Sequence, residues 1–225
     1  MSEDFKAILK KISRNADGDT MFQLLKRGVK YKRNYGIKLP VLKAIAHEFV
    51  PNEQLADEFW ASDIREMRIL ASLLQPVDLL SIEKMNNWAE NFNNPEIVEQ
   101  CCINLFSNSE LASSCCSAWF SKPESEEYVK MSAFVLASLL IKNEQKSDDQ
   151  FINLVLKEAL NDSKSDSLHV KNAIIRAIVE VGKLSKEYNY KAIQVVKAIG
   201  TQNTENSKFI VDGAFFQLEF FAELL

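Results

Sequence analysis

Glycine and proline are scarce. Six and five of them in 225 residues are too few for the many turns of an all-β chain. No apolar run approaches the roughly 18–20 residues needed to cross a membrane. The start of the chain, MSEDFKAILKK, sets acids ahead of any apolar stretch, unlike a secretory signal, so a cytoplasmic protein with no membrane partner is expected. Cysteines number four and form two adjacent pairs, Cys101–Cys102 and Cys115–Cys116. Neither pair has the two-residue gap of a zinc or redox site, and two histidines add little that could hold a metal. Reduced, buried thiols acting as small hydrophobes are expected, with no metal and no cofactor. His47 and His169 stand alone and read as surface histidines.

What is present is helical periodicity. Hydrophobic residues make up 47% of the chain and charged residues 26%, an ordinary globular balance at a length able to bury a sizeable core. Apolar residues recur at three and four almost throughout. Phe5, Ile8, Leu9 and Ile12 make a first helix. Thr20 is the candidate cap of a second, which carries Phe22, Leu24, Leu25 and Val29. A basic loop, KYKRNYGIKLP, leads into a third helix at Pro40, with Leu42, Ile45, Ala46 and Phe49 on its inner face. Leu55, Phe59 and Trp60 belong to a fourth, and Asp63 is the candidate cap of a fifth that holds Met67, Leu70, Ala71 and Leu74. Further helices are expected from residue 79 onward, the later members of successive pairs beginning near 64, 95, 124, 168 and 207. Intervals of roughly 30–45 residues fit helical repeats of the HEAT kind. The expected fold is therefore all-α, a HEAT-like helical-repeat solenoid of about a dozen helices with a curved face, in one domain over residues 1–225. Trp60, Trp88 and Trp119 read as core anchors. The apolar tail FFQLEFFAELL reads as a cap on the array or a dimerising surface.

Asn91–Phe106, NFNNPEIVEQCCINLF, is the stretch with the most chemistry in it. Asn94 suits the N-cap and Pro95 the first helical position, where its missing N–H costs nothing. Glu96 and Glu99 are three apart and share a face near the positive end of the helix dipole. Ile97, Cys101 and Leu105 lie on the inward stripe. Two readings stay open here: acids that complement the dipole of a structural helix, or a carboxylate site. Charge is unevenly placed around this helix. Residues 1–43 carry 11 Lys and Arg against 4 Asp and Glu, residues 44–166 carry 9 against 21, and residues 167–225 carry 7 against 6. A polyanion would meet the basic segment, with Lys26, Arg27, Lys30, Lys32 and Arg33, before an acidic middle that repels phosphate.

Four stretches resemble the HEAT-like-repeat DNA alkylation repair family, the AlkD-like DNA glycosylases. Tyr35-Gly36-Ile37-Lys38-Leu39-Pro40-Val41-Leu42 is similar to the family's aromatic-Gly-Val/Ile-x-x-Pro helix start. Leu55 through Trp60, then Glu66-x-Arg68 and Ala71, is similar to its Leu-Trp segment and Glu-x-Arg. Trp88, then Asn94 through Glu99, is similar to its Asn-Trp-Asp-x-x-Asp stretch. Val170-Lys171-Asn172-Ala173, with Glu180 and Gly182-Lys183, is similar to its Val-x-Lys-Ala and Arg-Glu-x-Gly-Lys helix. Together they span about 35–183.

The resemblance implies excision of alkylated purines from DNA without a metal, with Glu99 at the position of the catalytic acid and Glu96 at that of the first acid. A fixed carboxylate would stabilise the positive charge that develops on the sugar as the glycosidic bond breaks, between aromatic faces that hold sugar and base. Pro95, however, stands where the family has an aromatic. The Arg that holds DNA backbone falls near Lys130 or Met131, the register favouring Met131, and the Trp of an Ala-x-x-Trp helix falls on Arg176, which could instead hold a phosphate or pair with a nearby acid. Glu99 keeps the charge but adds a methylene and a rotatable bond, which loosens preorganisation. The expectation is a DNA-binding member of the family with weak DNA affinity and weakened or lost excision. The alternative is a non-catalytic HEAT-repeat scaffold for a protein partner.

Overall fold

The computed structural model describes residues 2–29 and 31–224. Thirteen α-helices lie among them, with three short 3-10 turns and no strand beyond an isolated bridge between Arg33 and Ile64. They are α1 (Glu3–Arg14), α2 (Gly18–Lys26), α3 (Leu39–Ala46), α4 (Glu53–Trp60), α5 (Arg65–Leu74), α6 (Ile82–Glu90) and α7 (Pro95–Asn104), then α8 (Ala112–Phe120), α9 (Glu127–Lys142), α10 (Asp149–Asn161), α11 (Leu168–Gly182), α12 (Lys186–Gly200) and α13 (Glu205–Leu224). The chain gathers into two compact units, Met1–Ser109 and Glu110–Leu225. Among the described residues no helix is long and apolar enough to cross a membrane.

Local signals set most of the helix starts. Ser2, Asn52, Ser81, Asn94, Asp148, Ser167 and Ser185 each accept a first-turn backbone N–H through the side chain, which satisfies donors that no intrahelical carbonyl can reach. Two caps differ from the sequence expectation. Asp17, not Thr20, caps α2: its Oδ1 accepts from the N–H groups of Asp19 and Thr20, and the Thr20 hydroxyl donates to its Oδ2 at 2.9 Å. A carboxylate three residues upstream serves more orphan donors than one hydroxyl does. Asp63 adopts φ +50 and faces Arg68 at 3.5 Å, so α5 starts one residue later, after Ile64.

In the first unit α4 packs on α5, and α5 in turn on α3 and α7. Eight of the ten residues of α5 are buried, the charged Arg65 and Glu66 among them. Trp60 and Trp88 stack with ring centroids 4.2 Å apart, and Phe92 and Phe106 close the cluster, the offset and tilted geometries that aromatic rings favour. In the second unit α9 is the central element. It is buried without interruption from Val129 to Ile141, the all-round burial of a helix covered on several sides, and it packs on α8 and α11. Asn189 is buried and donates to the carbonyls of Gly182 and Leu218, joining α12 to α11 and α13. All four cysteines are buried and reduced; burial pushes the Cys101 and Cys116 thiols well above the ordinary thiol range, which leaves them unreactive.

The repeat shows itself in polar contacts between equivalent positions of successive turns of the array. Tyr35 with Glu66, Arg65 with Glu96 and Glu53 with Lys84 are each 31 residues apart. Ser72 with Asn104 and Lys130 with Asp162 are each 32 apart. A recurrent offset of this size is what stacking of helix pairs requires, and it falls inside the interval read from the sequence.

Gly36 is the tightest backbone position. It adopts φ +71, and a Cβ there would stand 2.1 Å from the Asp17 carbonyl oxygen and 2.8 Å from the Met21 nitrogen. The Asp17 N–H donates to the Tyr35 carbonyl at 2.9 Å, so the loop and the start of α2 touch backbone to backbone. Gly36→Ala adds left-handed strain to a clash with immovable atoms, and should lower stability by more than about 2 kcal/mol. A urea midpoint equal to that of the wild type would contradict this account.

Candidate functional site

The carboxylate helix α7 starts as its residues dictate. The Asn94 Oδ1 accepts from the Ile97 N–H at 3.2 Å and from the Tyr31 hydroxyl at 3.5 Å, and Pro95 follows at the first helical position. Burial pushes the Tyr31 phenol well above its usual range, so it remains a neutral donor. Glu96 does more than complement the dipole. Its two oxygens receive Nε and Nη2 of Arg65, both at 2.7 Å, the paired fork geometry that is the strongest form of this contact.

Arg65 is 3% exposed. Its Nη1 donates to the Ile37 carbonyl and to Glu66 Oε1, each at 2.9 Å. Glu66 is fully buried and accepts from the backbone N–H groups of Tyr35 at 3.1 Å and Ile37 at 3.2 Å. Burial alone would lower the Arg65 pKa; the hydrogen bonds and charge of Glu96, with the charge of Glu66, more than reverse this and hold the guanidinium charged. The network ties α5, α7 and the loop before α3 together. Glu96 is thus committed to an internal ion pair, whereas Glu99 sits one turn further along α7, half-buried.

The other residues picked out by the sequence divide in the same way. Lys130 is buried, with its ammonium 2.6 and 2.8 Å from the two Asp162 oxygens and 3.1 Å from the Phe120 carbonyl. That commits it to joining α8, α9 and the end of α10 instead of to a solvent-facing contact. Met131 is buried as well, and Arg176 is half-buried on α11. The basic segment is different. Lys26, Arg27, Lys32 and Arg33 are all exposed; Lys30 lies outside the described residues. Lys26 Nζ rests 4.5 Å from the Phe22 ring centre. The Arg33 backbone is fixed by its carbonyl, which accepts from the Arg65 N–H at 3.0 Å.

Lys32 and Arg33 line a groove of about 990 Å³ together with Met21, Phe22, Leu25, Tyr31 and neighbouring residues. Helix α2 carries the apolar Phe22, Leu24 and Leu25, yet none of its residues is buried; Phe22 and Leu25 open on the groove. Neither the groove nor the Arg65 network was visible in the sequence. The only trace of the network was Glu-x-Arg at 66–68, and it pointed to the neighbouring arginine.

No group that could bind a metal is formed by three or more His, Cys, Asp or Glu side chains among the described residues.

Removing Glu96 strands a buried guanidinium, so Glu96→Ala should cost about 3 kcal/mol, the scale for breaking one side of a buried pair. The value should vary little with salt, because the pair is shielded from counterions. Glu99→Ala should cost less than about 1 kcal/mol. Denaturant midpoints of the two variants decide the matter, and equal shifts would remove the distinction between them.

Comparison with known proteins places this geometry in context. The family described as "DNA alkylation repair enzyme" matches residues 5–211. Curated protein sequences yield no match. Among solved structures, one described as belonging to "a new family of proteins related to the HEAT-like repeat DNA glycosylases with affinity for branched DNA structures" superposes with a TM-score of 0.78 at 16% identity, over 87% of this chain and 83% of the other. That likeness establishes the HEAT-like helical-repeat fold. The family match covers nearly the whole chain, and the protein belongs to the DNA alkylation repair family.

Proposed function

We propose that this protein binds DNA through the basic segment beside α2 and that its excision of alkylated purines is weakened or lost. The observation that carries the reading is the division of charge. Glu96 and Lys130 are consumed by internal partners, while Lys26, Arg27, Lys32 and Arg33 stand exposed, the last two lining one groove. Such cations neutralise phosphates and release counterions, the sequence-independent part of DNA affinity. Phe22, Tyr31 and Tyr35 in the same groove supply faces on which an unpaired base can stack. The described affinity of a structural relative for branched DNA makes a three- or four-way junction the substrate to compare with plain duplex.

Four described cations beside an acidic middle support a shallow salt dependence. A log–log slope of about −2 to −3 is expected, corresponding to two or three neutralised phosphates. Lys32→Ala and Arg33→Ala should each reduce its magnitude by about one. A slope as steep as that of a full DNA-binding groove, unchanged by either substitution, would locate the interface elsewhere.

For the chemistry, Glu99 stands at the position that the family resemblance gives to the catalytic acid, without the aromatic that Pro95 replaces. Loss of one preorganised group typically costs on the order of 100–1,000-fold in rate. Release of methylated purine from alkylated DNA should therefore lie near background, and Glu99→Gln should abolish any remainder. Brisk wild-type release would overturn the proposed loss, and release indifferent to Glu99→Gln would remove the carboxylate from its role.

A further inference from the structure

Helix α13 carries a second apolar face that the DNA reading leaves unused. Ser207, Ile210, Ala214 and Leu218 form its buried side. On its outer side Phe216, Phe220 and Leu224 follow one another at intervals of four and are 76%, 52% and 65% exposed. At 100° per residue, Asp212, Glu219 and Glu223 run along one edge of this stripe, and all three are exposed. The helix holds four acids against Lys208 as its one lysine. Lys183 from α11 lies over Phe221, 4.9 Å from its ring centre, and so belongs to the opposite edge. The face is thus apolar with an acidic border.

Helix α2 presents the reverse. Phe22 and Leu25 are 55% and 60% exposed beside the groove, and the nearby charges are predominantly basic, Lys26, Arg27, Lys32 and Arg33 against Asp17 and Asp19 at the start of the helix. We propose that α13 of one copy docks its phenylalanine stripe in the α2 groove of a second copy, head to tail. The signs decide the pairing. An α13–α13 contact would bring acidic edges together and an α2–α2 contact would bring cations together, and like charges juxtaposed at an interface are costly. The α13–α2 contact matches opposite charges and covers both apolar faces at once. Phe216, the most exposed large side chain of the stripe, is the anchor that enters the groove, as aromatic residues do at interface centres.

The area available is modest. A few large side chains on one helix fall short of the ~800 Å² per partner of a standard interface, so the association is of micromolar order. Because the two patches differ, two copies close only where both reciprocal contacts form at once. Otherwise the contact continues into rings or short filaments.

Sedimentation velocity in low salt and without DNA tests this independently of the DNA reading. The wild-type mass average should rise above one copy toward about 100 µM, well above a micromolar dissociation constant, and fall back as salt is added. The double variants Phe216→Ser/Phe220→Ser and Phe22→Ser/Leu25→Ser should each stay at one copy at every concentration. Their far-ultraviolet circular dichroism should match the wild type, since all four side chains are exposed. An equimolar mixture of the two variants retains one intact patch of each kind, and should reach the mass of two copies and no more. A wild type that stays monomeric, or a mixture that does, would overturn the proposal. So would an α2 variant that still dimerises alone, which would point to α13 pairing with itself.

Discussion

A buried arginine governs the first unit. Arg65 can be buried because all three nitrogens of its guanidinium have partners: Nε and Nη2 donate to Glu96, and Nη1 donates to Glu66 and the Ile37 carbonyl. A charge taken out of water and left partly unmet would cost several kcal/mol. The requirement therefore acts as a positional constraint on three separate segments. It places α7 against α5, holds the Tyr35–Ile37 loop through Glu66, and through the Arg65 N–H it also fixes the backbone of Arg33. The carboxylate helix and the basic segment are thus positioned by the same residue.

The second unit repeats the device with a lysine. Lys130 of α9 reaches Asp162 and the end of α8, again across 32 residues of chain. In both units a charged side chain that lies in a functional stretch of the family pattern has its charge met inside the protein. Each unit thereby commits one charged side chain of such a stretch to an internal partner. What this leaves is the N-terminal cations, whose attraction for phosphate is non-directional and needs no preorganisation. The proposed DNA affinity and the proposed loss of excision rest on different residues and on different degrees of geometric precision.

The two amphipathic helices α2 and α13 each keep an apolar face uncovered within their own unit. Helix α9 is buried without interruption from Val129 to Ile141, whereas no residue of α2 is buried and only one side of α13 is. Phe22, Leu25, Phe216 and Phe220 are exposed. Their charged borders are of opposite sign, which gives each face a different preferred partner.

The sequence by itself determined the helices and their order. Caps, Pro95 at a first helical position and apolar residues at three and four are local signals, readable because a helix start depends on residues within one turn. The later helices of each pair begin at 65, 95, 127, 168 and 205, close to the starts read from spacing alone. The misplaced caps at Thr20 and Asp63 were errors of a few residues among competing local groups. What only the tertiary structure decided is the partner of each side chain. Glu96 looked like a dipole-compensating or site acid, but its carboxylate meets an arginine 31 residues away. Phe22 and Leu25 read only as apolar residues of a helix, because periodicity reveals that a helix has an apolar face and not whether anything covers it. Lys130 was, beside the favoured Met131, a candidate for the position of the family's DNA-holding Arg, but its ammonium meets Asp162. Contacts across 31 or 32 residues are set by how helix pairs stack, and no local pattern within one helix carries that information.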